Sequence, residues 1–299
     1  MIKNYKRKRI TLLSCVFLII IATLFIFFNH NTKVNNDNEL VNSTEISTED
    51  TDSTKQSTDS TEKNRFENVK LTNEDVGVPV LYYHSVLPDS EVTTPNEVTI
   101  SPQKLKEELK IVKDLGYTTL TLSELTDYLN NNMPIPEKSI VITFDDGYTD
   151  NYVHAFPILK ELDMKATIFM IAAEVDNGGY YMSSSQLKEM SDYGIDIASH
   201  TDHHVYLDSL SYDKQLKELK DSKEKLEKIL GKEVTSIAYP YGNYNENTKK
   251  AAVAAGYTLA FTTNKGLAKR TNNKVELNRI YVSSNYSLEL FKERLLNTK

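Results

Sequence analysis

The chain has 299 residues, 39% of them hydrophobic, and a formal net charge of -7, which is enough apolar material for a sizeable core and the wrong sign for a nucleic-acid backbone. Its one cysteine, Cys15, sits in an apolar run, so the remainder can use neither disulfides nor thiolate chemistry.

Residues 1–10, MIKNYKRKRI, carry five Lys or Arg and no acid, and residues 11–28, TLLSCVFLIIIATLFIFF, carry no charge. Eighteen residues rising ~1.5 Å each approach the thickness of a bilayer's hydrocarbon core. The segment therefore reads as a transmembrane anchor at the cell membrane, with a cytoplasmic basic flank and everything after it outside. A cleavable signal peptide is the competing reading, but FFNHNTKV offers no good small-residue cleavage site and the apolar run is long. Residues 29–70 are Ser, Thr, Asp, Glu, Asn and Lys with little to bury, the composition of a disordered linker.

From residue 71 to 299 short apolar runs alternate with amphipathic segments, as one domain. VPVLYY, YTTLTL, SIVITF, KATIFM, IDIAS, TSIAYP, YTLAFT and NRIYV read as buried strands. SPQKLKEELKIVKDLG, SSQLKEMSDYG and SYDKQLKELKDSKEKLEKILG read as helices, and Gly116, Gly194, Gly231 and Gly256 fall where left-handed caps belong. This is an α/β pattern with a parallel sheet under helices, either a closed barrel of seven to eight strands or an open doubly wound sheet. In each case active groups belong at the carboxyl ends of strands.

Three strand ends carry chemistry. SIVITFDDGYTDNY sets Asp145 and Asp146 side by side, an arrangement that costs repulsion unless a cation, donors or water absorb the charge. IDIASHTDHHVYL places His200 and His204 four residues apart, so one helical turn would aim both imidazoles at one ion while His203 points elsewhere. Two imidazoles and one carboxylate make a common catalytic zinc set, and the second acid can then act on a water. TSIAYPYGNYN offers Tyr241, whose backbone N–H could face a reacting oxygen, although Pro240 and Gly242 also suit an ordinary turn. Tyr148, Tyr206, Tyr241 and Tyr244 lie beside these motifs and could stack on sugar rings, as well as pack in the ordinary way.

TFDDG, SHTDHH and AYPYG resemble, in order and spacing, the first three motifs of the polysaccharide deacetylases, over roughly residues 75 to 299. The resemblance implies a distorted (β/α) barrel, with Asp145 as catalytic base, Asp146, His200 and His204 on a divalent metal, usually Zn2+, and Tyr241 N–H in the oxyanion site. The substrate implied is an N-acetylated polysaccharide. Three departures stand out: Ala238 replaces the Arg that usually braces the catalytic Asp, no tryptophan exists for the usual fourth motif, and Leu277-Asn278-Arg279 replaces the final Leu-x-His. VPVLYYHSV and NRIYV look like the branch that deacetylates poly-β-1,6-N-acetylglucosamine, which implies His84 as the replacement proton donor. His84 as a structural residue is the alternative, and Arg279 is a candidate partner for Asp145 in place of the missing Arg. The expected activity is removal of N-acetyl groups from biofilm polysaccharide or peptidoglycan at the cell surface. An O-acetyl esterase and a carbohydrate-binding module with lapsed catalysis remain as other readings.

Overall fold

A computed structural model describes residues 65–299. The basic segment, the span at 11–28 and linker residues 29–64 lie outside the described residues; among the described residues no helix is long and apolar enough to cross a membrane. Seven strands pair in parallel and in chain order: β1 (Val80–Tyr83), β2 (Ser139–Phe144), β3 (Thr167–Met170), β4 (Asp196–Ser199), β5 (Ser236–Ala238), β6 (Leu259–Lys265) and β7 (Leu277–Tyr281). Strand β7 returns to β1, with Ile280 opposite Leu81, so the ring is closed and the open-sheet alternative falls. The run YTTLTL yields only the two-residue strand Thr118–Thr119, which pairs with Ser139–Ile140 at the foot of β2 and does not join the ring.

Alternation along each strand sorts side chains into two cores, as a barrel buried on both faces requires. Val80, Val141, Phe169, Ala198, Ala238, Phe261 and Leu277 belong to the inner core. Their neighbours Leu81, Ile142, Ile168, Ile197, Ile237, Ala260 and Ile280 belong to the core beneath the helices.

The helices are α1 (Pro102–Asp114), α2 (Leu122–Asn131), α3 (Phe156–Leu162), α4 (Ser184–Tyr193), α5 (Tyr212–Leu230), α6 (Glu246–Ala254) and α7 (Leu288–Asn297). Their starts are chemically marked. Ser101 accepts from the Lys104 N–H ahead of α1, and Thr121, Ser183 and Asn245 form reciprocal capping boxes at α2, α4 and α6. Gly194 and Gly231 close α4 and α5 with left-handed backbone, as their placement predicts.

The ordered contacts begin before Leu71. Arg65 donates from Nη1 to both Glu124 carboxylate oxygens at 2.6 and 2.7 Å and from Nη2 to the Thr119 carbonyl at 2.9 Å, and Phe66 packs on the inner core. The linker boundary at residue 70 is therefore too late, because these side chains find partners that composition alone does not reveal.

A buried acid lies behind β1. Glu108, on α1, is fully buried and accepts from the Tyr83 hydroxyl at 3.0 Å, yet burial still pushes its carboxyl from 4.5 up to about 7. The folded chain then holds this proton more tightly than the unfolded chain. Its contribution is complete below pH 4.5 and is lost as pH rises through about 7. Glu108→Gln should flatten this dependence: between pH 5 and 8, urea unfolding should show the parent losing up to about 3 kcal/mol relative to the variant. Parallel pH profiles would refute a protonated Glu108.

Candidate active site

The site is assembled at the carboxyl ends of the barrel strands. Past β2, Asp145 continues the ladder, donating its N–H to the Tyr83 carbonyl at 2.9 Å. Asp146 then turns into left-handed backbone at φ 73°, followed by Gly147 at φ 80°. A Cβ on Gly147 would collide with Met170 Sδ, so glycine is required both by the turn and by the neighbouring strand. The strained Asp146 backbone separates the two carboxylates, which a regular strand would also have placed on opposite faces.

Past β4, His200 and His204 do converge, but not on a helical turn. Thr201 (φ 67°) and His204 (φ 54°) are both left-handed, so a tight loop reverses the chain and returns the second imidazole to the first; the ring centroids are 4.9 Å apart. Nε2 of His200 and of His204 lie 3.4 and 3.2 Å from Asp146 Oδ1. A carbonyl can only accept, so His200 Nδ1, 2.8 Å from the Ala238 carbonyl, carries the proton and in the neutral ring leaves a lone pair on Nε2. His204 Nδ1 lies 3.1 Å from the Tyr241 hydroxyl, which likewise turns Nε2 toward Asp146. Asp146 Oδ1 is buried and has no hydrogen-bond donor. Ligand atoms of these three residues all lie within 4.8 Å of one another, the one such His/Cys/acid group among the described residues. Two imidazole nitrogens and an orphaned carboxylate oxygen on a common point suit a divalent cation.

Charge follows the same geometry. Burial pushes the Asp146 carboxyl up, but the two imidazoles, when charged, outweigh it and hold it far below the usual carboxylate range. Burial pulls His200 down, and the Asp146 and Asp145 carboxylates more than reverse this. His203 does point elsewhere: its ring is largely exposed and sits 3.1 Å from Glu218 on α5.

Asp145 is 3% exposed and meets a fully buried guanidinium. Arg279, reaching inward from β7, donates Nη1 to Oδ1 at 2.8 Å and Nη2 to Oδ2 at 2.9 Å, and Nε to the Thr262 carbonyl at 2.9 Å. It also lies over the Tyr82 ring, 4.3 Å from the centroid. Burial pushes Asp145 up, and Arg279 with His200 brings it below its ordinary value, so it stays ionised. The guanidinium that Ala238 cannot supply thus comes from two strands away. Both residues belong to the barrel interior, where the small side chain on β5 is matched by the long one on β7.

His84 follows β1 and is mostly buried. Burial lowers its pKa, opposed by the charges of Asp145 and Asp146. Tyr241 takes left-handed backbone at φ 59°, and no acceptor is found for its N–H among the described residues. Its half-exposed ring stacks on Tyr206 with centroids 4.1 Å apart and planes 9° from parallel. Tyr148 packs with Tyr180 and Tyr181, at centroid separations of 5.2 and 5.5 Å. Burial and the neighbouring Asp146 charge keep the Tyr148 hydroxyl protonated. The sequence reading missed Tyr180 and Tyr181; the only local signal was the Gly178-Gly179 pair before them, which frees that loop to cross over. Tyr244 leaves the sugar-stacking set, since its hydroxyl donates to Glu276 at 2.7 Å and its ring stacks on Tyr239.

The polysaccharide deacetylase family model matches residues 132–260. The Bacillus subtilis protein YxkH is 38% identical over 220 residues, 74% of this chain and 76% of that one. This chain is a polysaccharide deacetylase family member. A Staphylococcus epidermidis protein named poly-beta-1,6-N-acetyl-D-glucosamine N-deacetylase is 31% identical to this deacetylase over 251 residues, 76% of this chain and 86% of that one. Among solved structures, the Streptococcus pyogenes deacetylase PplD in complex with acetate superposes with a TM-score of 0.70 at 35% identity, covering 74% of this deacetylase and 99% of PplD.

Proposed function

We propose that this chain is a cell-surface N-deacetylase of an N-acetylglucosamine polymer, tethered by residues 11–28 and using zinc held by Asp146, His200 and His204. The observation that carries the reading is the unpartnered Asp146 oxygen facing two imidazole nitrogens, beside a carboxylate clamped by Arg279. The named activity of the Staphylococcus epidermidis relative supports poly-β-1,6-N-acetylglucosamine as the polymer. Arg279 paired with Asp145, and His84 mostly buried at the end of β1, weigh against a lapsed module.

A divalent cation, when bound, supplies Lewis acidity that polarises the acetyl carbonyl and acidifies a water. Asp145 accepts that water's proton. Its pairing with Arg279 makes it a weak base that stays charged, sufficient for an acidified water. The Tyr241 N–H faces the oxyanion, where one such donor is typically worth ~2.7 to 4 kcal/mol. His84 gives its proton to the departing amine: a lowered pKa makes its imidazolium a strong donor, and the two adjacent carboxylates stabilise the charge while it exists. The Tyr206–Tyr241 and Tyr148–Tyr180–Tyr181 clusters offer aromatic faces to the sugar chain.

The test is acetate release from defined N-acetylglucosamine oligomers. Release from β-1,6 oligomers, abolished by chelator and restored by zinc, is expected. Release from peptidoglycan glycan only would replace the polymer, and release from O-acetylated polysaccharide only would replace the amide with an ester.

A further inference from the structure

Catalytic histidines are ordinarily held by a hydrogen bond on the ring nitrogen that does not react. His84 lacks one: its Nδ1 is buried and unpartnered, and its nearest ring neighbour is Tyr82, edge-on at 5.9 Å. Its position is set through the main chain. Asn151 Nδ2 donates to the His84 carbonyl at 2.8 Å and to Asp150 Oδ1 at 2.8 Å. Asp150 in turn accepts from Ser85 Oγ at 2.5 Å and from the Val86 N–H at 3.0 Å.

Three consecutive residues, His84 to Val86, are therefore gripped by the side chains of Asp150 and Asn151, which lie four to six residues after Asp145 and Asp146 at the start of the following helical segment. Asn151 is fully buried and opens a π-helical turn, Asn151–Ala155, a wide and uncommon geometry that recurs at functional sites. The brace joins the segment carrying His84 to the segment carrying the acid pair. We propose that Asn151 and Asp150 are positioning residues for His84, fixing its ring relative to Asp145 and Asp146. The proposal rests on reading His84 as the proton donor.

A double-mutant cycle tests it. Asn151→Ala should lower kcat about 10- to 100-fold with KM within about twofold and zinc content unchanged, since small misplacements of reacting groups cost that much. In a His84→Ala background the same substitution should change the residual kcat less than about twofold, because it acts through the missing ring. An equal loss in both backgrounds, or no loss in the parent, overturns the proposal. If Asn151→Ala fails to fold, Ser85→Ala removes one strut only; a fall of about threefold in kcat confined to the parent background supports the brace, and any other pattern overturns it. His84→Ala with full turnover overturns the donor reading and the proposal together. An inactive His84→Ala beside a silent Asn151→Ala overturns the proposal alone.

Discussion

Arg279→Met should destabilise the domain by about 3–5 kcal/mol and remove most deacetylation, because it strands an ionised, buried Asp145. The guanidinium is fully buried, and both of its terminal nitrogens donate to Asp145. Methionine fills much of the same volume, so the loss reports the uncompensated carboxylate and not a cavity. Adding Asp145→Asn to Arg279→Met should recover much of the stability and none of the turnover. Urea unfolding of the two singles and the double gives the coupling directly. A single Arg279→Met variant as stable as the parent would show that Asp145 finds another partner.

Asp145→Asn alone should separate turnover from metal binding. Asparagine keeps the shape but cannot take a proton, so kcat should fall about 10²- to 10⁴-fold while zinc content stays near the parent's. His200→Ala removes one imidazole of the three-residue set and should lose both metal and turnover. The contrast is read by metal analysis of the purified proteins alongside acetate release. Full activity in Asp145→Asn would end its assignment as base, and normal zinc content in His200→Ala would move the metal elsewhere.

Strand ends were legible because parallel strands buried on both faces leave near-continuous apolar runs. The residues that break those runs, Asp145, His200 and Tyr241, mark where the barrel opens. The conformation that brings His204 to His200 was not legible, since a helical turn and a loop with two left-handed residues give the same i, i+4 spacing. The partner of Asp145 was half legible: the absence of Arg at 238 was plain, but the substitute stands 41 positions later on a strand whose inward face is known only once the ring closes. Helix α3 hid for another reason: it is short and grows out of a π-helical turn, so it displays no strong apolar stripe.

The supply of Arg279 by the last barrel strand orders events during biosynthesis. A chain growing from its amino end gains the three candidate ligands well before the cation that neutralises Asp145. Until β7 docks between β6 and β1, Asp145 lacks its guanidinium partner, and a fragment ending short of residue 277 would combine a recognisable ligand set with an electrostatically unbalanced interior. On the proposed reading, competence would arrive with ring closure as a late event, so nascent or clipped molecules should be inactive even where the three candidate ligands are already in place.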